Sequence, residues 1–236
     1  MHELFIKVFI KYNERLIFSI EKMKKKKELK IKPRKNFYNY LILNAKPLHK
    51  LLESFDGNGL FMRAINNDDL LEFKNCLLYI GKGNADRKYK HLIETKSYLE
   101  GKMGNLNKIS AKITKLSSIW NAGNGLIILQ IFSDSDHYLS LCRENSMIKA
   151  AGRSLTNLIN GSIYGLMKTK WTQHEIRNYG EMLLYFAFKQ CLYEHPDPIF
   201  SSDIKIKKSE NIFEPKKYNI KTNYKFNGIM DWFLDL

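Results

Sequence analysis

The segment Tyr79-Ile80-Gly81-Lys82-Gly83 sets a lysine between two glycines directly after a tyrosine. Glycines in this position let a backbone approach an anion, with an ammonium ready beside it. Arg87 and His91 follow, four residues apart. In a helix leaving such a loop they would share one face. Arginine offers a forked donor for phosphate oxygens, and histidine carries a proton near neutral pH. Tyr79 closes one β-rich run, and Tyr40 lies in another, Phe37–Leu43. Glu144 falls among Leu139, Leu141, Met147 and Ile148. An acid on or near an apolar helix face is costly without a partner, which is either a metal ion or an ordinary cation such as Arg143 or Lys149. Asn157 stands in a Leu-Thr-Asn-Leu run after that helix.

Other readings of the glycine segment fare less well. A dinucleotide-binding fingerprint needs a third Gly or Ala where this chain has Asp86, within a parallel βαβ unit. A phosphate-binding Walker loop needs four residues between its glycines and a closing Lys-Ser or Lys-Thr. Taken alone, the segment is equally a Gly-rich turn between a strand and a helix.

Charge narrows the class of partner. Lys and Arg number 39 against 24 Asp and Glu, a net +15. Such a surface attracts nucleic acid or an anionic membrane. Residues 1–35 hold 12 Lys and Arg against 4 acids, so the first segment carries more than half of the excess, outside the expected core. The run Lys24, Lys25, Lys26 and Lys27 reads as a phosphate-binding arm or a nuclear address. Cys76, Cys142 and Cys191 are odd in number and form no CxxC pair. A disulfide framework or structural zinc site is not expected, a reducing compartment is, and Cys76 and Cys142 read as buried apolar residues. No apolar run reaches the length of a membrane span.

The elements that must hold these residues follow from periodicity. Apolar residues at helical spacing predict a basic helix over 3–30, docked or free, stopped by Pro33. Strands are predicted over Phe37–Leu43, Cys76–Ile80 and Leu126–Phe132, the second closing in a tight turn at Gly81-Lys82-Gly83. The first two read as antiparallel neighbours across a connector, 44–72, holding a short helix at 47–55 and a turn at Asp56–Gly59. Helices are predicted over 84–99, 106–120, 136–151 and 172–193. Ser133–Asp136 cap the third of these, Gly152 stops it, and Thr172 begins the fourth. The expected fold is α+β, a small antiparallel sheet flanked by helices, with a basic N-terminal helix over 1–35, a domain over 36–195 and a basic C-terminal tail over 196–236. The tail ends in an apolar cluster, Ile229, Trp232, Phe233 and Leu234.

Taken in order, these motifs resemble the GIY-YIG nuclease superfamily. Tyr79-Ile80-Gly81 reads as its second half-motif, followed by Arg87, the helical Glu144 and Asn157. The pattern is closest to the GIY-YIG domain of animal ankyrin-repeat and LEM-domain endonucleases. That likeness covers about residues 36–195 and rests on Tyr40-Leu41-Ile42-Leu43, the Tyr-x-Gly-Lys-Gly turn, Ile119-Trp120, Gly123-Asn124-Gly125, Arg143-Glu144, Leu155-Thr156-Asn157 and Tyr164-Gly165. The first half-motif reads Asn39-Tyr40-Leu41 instead of Gly-Ile-Tyr, which leaves Tyr38 as a rival to Tyr40. No ankyrin repeat or LEM motif is visible, as expected of either a fragment or a stand-alone relative. The resemblance implies a DNA endonuclease, selective for structure or sequence, acting on duplex or branched DNA with one Mg²⁺ or Mn²⁺ held by Glu144. It implies catalytic roles for Tyr40, Tyr79, Lys82, Arg87, His91 and Asn157: Lys82 and Arg87 on phosphate oxygens, and Tyr40 or Tyr79 as proton acceptor with a depressed phenol pKa. His91 would orient, Asn157 would brace, and Lys24–Lys27 would bind DNA alongside Lys82 and Arg87. The alternatives are a non-catalytic nucleic-acid-binding module of the same fold, and a basic interaction or membrane-surface protein.

Overall fold

The computed structural model describes residues 2–26, 29, 36–55, 64–102, 109–152, 155–157 and 171–205. Lys27, Pro33, the Asp56–Gly59 turn, Tyr164-Gly165 and the apolar cluster from Ile229 to Leu234 lie outside the described residues.

Among the described residues three strands form one antiparallel sheet: β1 (Phe37–Asn44), β2 (Leu77–Gly83) and β3 (Leu126–Ser135), in the order β2-β1-β3. The central strand is the chain's first, and every residue from Tyr38 to Leu43 is buried, which is why its polar alternation is weak. Tyr40 lies opposite Gly81 on one side and Gln130 on the other. A register shift between Ile42 and Leu43 leaves Leu78 as an extra residue in β2. This is the expected α+β architecture.

Helices cover both faces of the sheet. On one face Leu41, Leu43, Ile80, Leu129 and Ile131 pack with apolar residues of α1 (His2–Lys25), α6 (His137–Ala151) and α7 (Gln173–Glu194). On the other, Tyr38, Tyr40, Ile42 and Leu78 pack with Leu92 of α4 (Lys90–Leu99) and with Leu116, Ile119 and Trp120 of α5 (Ala111–Asn121). The first face has the larger core, because α2 (Ala45–Glu53) and α3 (Asn67–Cys76) add Leu48, Leu51, Leu52 and Phe73 to it. All three cysteines are buried, and none of them is in a disulfide.

Helix starts follow sequence chemistry. Asp136 caps α6 by accepting from the backbone of Tyr138 and Leu139, and Gly152 ends it at φ 81°. Thr172 and Glu175 form a capping box on α7, as do Asn66 and Asp69 on α3.

Several sequence expectations change. The basic N-terminal helix ends at Lys25 instead of 30, and it is not outside the core: Phe9, Leu16, Ile20 and Met23 lie on one stripe and are buried. Asn13 accepts from the Tyr179 hydroxyl at 3.0 Å and from the Arg143 guanidinium at 3.2 Å, tying α1 to α7 and α6. The connector 44–72 holds the expected short helix as α2 and also a second, unexpected one, α3, which takes up residues from 67 onward and runs straight into β2. Gly81-Lys82-Gly83 is strand, not a turn, because β1 pairs with all three residues. β3 runs on to Ser135, so only Asp136 of the Ser133–Asp136 group serves as a cap. The described part of the C-terminal segment packs on the domain. Ile199 bridges to Leu126, its carbonyl also accepts from Trp120 Nε1 at 2.9 Å, and Ile204 is buried. A Cβ at Gly125 would come within 2.5 Å of Pro198, so the Trp120 and Gly125 motifs serve this packing.

α6 and α7 cross in close contact at Gly180. A Cβ placed on Gly180 would lie 1.9 Å from the Ser146 carbonyl oxygen, which is backbone and cannot swing aside. Gly180→Ala is therefore expected to destabilise the fold by about 3 kcal/mol through forced separation of the helices. A urea unfolding midpoint unchanged from wild type would show that the crossing is looser than this distance implies.

Candidate active site

β2 is an edge strand, so its outward N–H and C=O groups need partners from outside the sheet. Three residues supply them in sequence. Thr156 donates from both its backbone N–H (2.9 Å) and its hydroxyl (2.8 Å) to the Leu78 carbonyl. The Asn157 carboxamide takes both polar groups of Ile80, accepting from its N–H at 3.1 Å and donating to its carbonyl at 2.7 Å. The Glu144 carboxylate accepts from the backbone N–H of Lys82. Asn157 thus braces the strand beside Tyr79 and Gly81, and Glu144 is drawn to the same edge from α6.

The opposite side of this edge is aromatic. The Tyr40 and Tyr79 rings lie 6.0 Å apart with their hydroxyls hydrogen-bonded. The glycines of β2 make this possible. A Cβ on Gly81 would meet the Tyr40 ring at 2.5 Å, and one on Gly83 would press on Tyr38 and on the Arg87 side chain at 3.2 and 3.1 Å. The glycines thus give room to two tyrosines, a different use from the expected approach to an anion. Tyr38, the rival to Tyr40, spends its hydroxyl on the turn that follows β2: it donates to the Ala85 carbonyl and accepts from the Lys88 N–H. Tyr40 alone of the two is hydrogen-bonded to Tyr79.

Arg87 and His91 do not lie on one continuous α-helix. Ala85–Tyr89 is a 3₁₀ turn, tightened by the Tyr38 hydroxyl and by Ala85 at φ 47°, and α4 begins only at Lys90. Arg87 is exposed on this turn, within electrostatic reach of Tyr40, Tyr79, Glu144 and His91. His91 opens α4, with its ring 4.8 Å from that of Tyr79 and 6.3 Å from that of Tyr40. The Lys82 ammonium turns to the other face, 3.1 Å from His137 Nδ1 and 4.9 Å above the Phe37 ring. Neither ordinary partner serves Glu144. Arg143 binds Ser135 at 2.8 Å and stacks on Phe132, and Lys149 binds Gln173 at 2.6 Å.

Burial governs the electrostatics. It pushes the Glu144 carboxyl up to about 7, although Lys82 and Arg87 pull it down. It also raises both phenols, so the depressed tyrosine pKa expected from the sequence is not present; the pull of Arg87 is too small to offset burial. The shared hydrogen bond acts oppositely on the two, raising Tyr40 and lowering Tyr79, within a pair that burial raises as a whole. Burial lowers His91 and favours its neutral form.

Sequence reasoning missed three neighbours. Lys112 of α5 places its ammonium 2.7 Å from His91 Nδ1 and 4.7 Å over the Tyr79 ring. Glu94 lies 3.2 Å from the same nitrogen. The two contacts are alternatives: a protonated Nδ1 donates to Glu94, and a bare one accepts from Lys112. His137 meets Lys82. Only Glu94 carried a signal, its i,i+3 spacing from His91.

Lys24 of the basic run is engaged with Glu21 at 2.8 Å and Asp136 at 3.0 Å, whereas Lys25 and Lys26 are exposed.

The raised Glu144 pKa fixes a sign. Its folded value lies above the ordinary 4.5, so the fold favours the protonated acid and loses stability as pH rises between 4.5 and about 7. Glu144→Gln keeps an acceptor for Lys82 N–H without the charge. In EDTA it should be about 2 kcal/mol more stable than wild type above neutrality, with the gap closing in acid. A gap that does not vary with pH, measured by urea unfolding, would contradict this.

Comparison with known proteins places the chain. It is 26% identical to ankyrin repeat and LEM domain-containing protein 1 of Homo sapiens over 171 residues, 72% of this chain and 27% of that protein. It is 29% identical to the Mus musculus protein of the same name over 133 residues, 56% of this chain and 24% of that one. To the Caenorhabditis elegans homolog it is 27% identical over 121 residues, 51% and 17% of the two chains. The chain thus matches about a quarter or less of each relative's length. No solved structure matches it. The family model of the LEM-3-like GIY-YIG domain matches residues 37–206, from the first residue of β1 to beyond the last described element. With the match spanning most of its length, the chain belongs to the LEM-3-like GIY-YIG family.

Proposed function

We propose that this chain is an endonuclease that hydrolyses DNA phosphodiester bonds with one divalent metal ion, acting on duplex or branched DNA with selectivity for structure or sequence. One observation carries the reading. Tyr40, Tyr79, Arg87 and Glu144, from two strands, a 3₁₀ turn and a helix, converge at the open edge of β2 in a chain of a GIY-YIG family. The family itself suggests nuclease activity and, generally, use of a divalent metal.

The donor chemistry fits such an ion. Among the described residues no three His, Cys, Asp or Glu converge, which disfavours a caged zinc. A single buried carboxylate whose charge is costly suits a hard ion that keeps most of its waters, Mg²⁺ or Mn²⁺, with substrate oxygens completing the shell. Glu144 would hold it, and when bound the ion would supply Lewis-acid stabilisation of the leaving 3′ oxygen.

The chain's own residues do the rest. Arg87, exposed on its turn, binds non-bridging oxygens as charge gathers on the phosphoryl group. Tyr79, once ionised by loss of its own proton to solvent, accepts the proton of the attacking water, and Tyr40 stabilises that phenolate beforehand by donating to it. Lys112 over the Tyr79 ring favours that charge further. His91, neutral between Glu94 and Lys112, orients Tyr79. Asn157 fixes the strand from which Tyr79 projects. Lys82 holds Glu144 through its N–H and adds positive potential from the far face. The nuclease domain extends over residues 36–195, and the Lys25–Lys26 end of α1 contacts phosphates. The basic run is also a candidate nuclear address. No helix among the described residues is long and apolar enough to cross a membrane.

Purified wild type is expected to nick plasmid or branched DNA with Mg²⁺ or Mn²⁺ and not with EDTA. Glu144→Ala should bind DNA normally and cleave about 10²- to 10³-fold more slowly. Equal cleavage by both proteins would remove Glu144 from the mechanism, and binding without cleavage by wild type would favour a non-catalytic module. Replacing Lys25 and Lys26 with Ala should lower the salt dependence of binding, by about one unit of slope for each phosphate that the end of α1 no longer neutralises. An unaltered slope would place the DNA away from this end of α1.

A further inference from the structure

A second concavity adjoins the candidate site on the tyrosine face of the sheet. It encloses about 450 Å³ between the start of β1, the end of β3 and the 3₁₀ turn. Tyr38 and Tyr89 supply aromatic wall, and Asn36, Gln130 and Asp134 supply polar groups. Between the rings runs Lys88, its ammonium 5.8 Å from the Tyr38 centroid and 5.1 Å from that of Tyr89, bound to Gln130 Oε1 at 2.6 Å. The backbone is strained around it: Ala85 and Asp134, both lining it, take φ of 47° and 56°. Such cost is concentrated where a shape must be held.

Charge decides what the cavity suits. Among the described residues Asp86 and Asp134 line it with one cation, Lys88, which lies partly buried against Gln130. Two carboxylates to one ammonium disfavour a phosphate. Aromatic wall with amide and carboxylate groups instead suits a flat, neutral ligand carrying both donors and acceptors, which describes a nucleobase. Its position agrees. The Tyr38 ring is 6.1 Å from that of Tyr40, and Arg87 is flanked in sequence by Asp86 and Lys88 of the cavity wall. A strand with its phosphate at Arg87 therefore brings a neighbouring base to this opening.

We infer that this cavity receives a nucleobase of the substrate strand next to the phosphate held at Arg87, stacking it on Tyr89 and bonding it through the polar rim. The inference rests on the nuclease reading and adds a subsite that positions the strand by a base. None of Tyr89, Gln130 or Asp134 belongs to the cleavage machinery described above.

The test separates base from backbone. The full chain, in EDTA, is titrated with a labelled single strand of twelve deoxycytidines and with an abasic strand of equal length and charge. Wild type should bind the base-bearing strand about tenfold more tightly. Tyr89→Ala should erase that preference while keeping its affinity for the abasic strand, which doubles as a check on folding. Tyr89→Phe should retain the preference, and Gln130→Ala, which also releases Lys88, should reduce it while leaving both rings in place. A preference that is absent in wild type, or that survives both Tyr89→Ala and Gln130→Ala, overturns the subsite. Failure of wild type to bind either strand, or the plasmid and branched DNA of the cleavage assay, would instead strike at the nuclease reading.

Discussion

An edge strand with unsatisfied backbone groups is the constraint around which this molecule is arranged. Among the described residues β2 has β1 on one side and no strand on the other, so the polar groups of Leu78, Ile80 and Lys82 point away from the sheet. Leaving them bare would cost stability and invite pairing with another chain. Thr156, Asn157 and Glu144 occupy them in register. The device that closes the sheet is therefore the device that brings a carboxylate and a carboxamide to Tyr79. Under the proposed function stability and chemistry share these residues, so substitution of Asn157 perturbs the strand as well as the site, and its effects will not add simply to those of Tyr79.

The narrowness of the sheet has a second consequence. Side chains on opposite faces of a wide sheet never meet, but at an outer strand they approach around its edge. Glu144 comes from the α6 face and the Tyr40–Tyr79 pair from the α4–α5 face, and both phenols feel the Glu144 charge. Burial then favours the neutral forms of Glu144, both phenols and His91. A site of suppressed charges strengthens the field of any ion or phosphate that enters it, because each neighbour has already lost its water.

The sequence revealed most where local chemistry dictates structure. Asp136 and Gly152 bound α6, Thr172 opens α7, and the order Tyr79, Arg87, Glu144, Asn157 identified the residues that gather at the β2 edge. It was silent where tertiary contact overrides local preference. The tight turn expected at Gly81-Lys82-Gly83 became strand because Tyr40 and Tyr38 fill the space that side chains there would need. The helix expected from Asn84 starts as a 3₁₀ turn because the Tyr38 hydroxyl, distant in sequence, takes its first carbonyl. α3 was hidden since its apolar residues merge with the run of β2. Lys112 had no signal at all: it reads as a surface lysine until α5 is laid beside α4 and its ammonium meets His91.

Charge divides into two populations with different work. Arg15, Lys24 and Lys74 spend theirs within the fold, on Glu175, Asp136 and Glu181. Lys24 also shows how a residue in a basic run becomes structural: it holds the cap of α6, and so the start of the helix that carries Glu144. The exposed lysines beyond it act at a distance, through a potential that salt screens. Contacts of that kind draw and orient a nucleic acid without choosing a bond within it. The choice must come from groups whose geometry is fixed by packing, and at the β2 edge those are few: Arg87 on a turn pinned by Tyr38, and the Tyr79 hydroxyl held by Tyr40. Under the proposed nuclease function, affinity and cleavage should therefore respond to separate sets of residues, because one set depends on net charge and the other on the register of Tyr40 against Gly81.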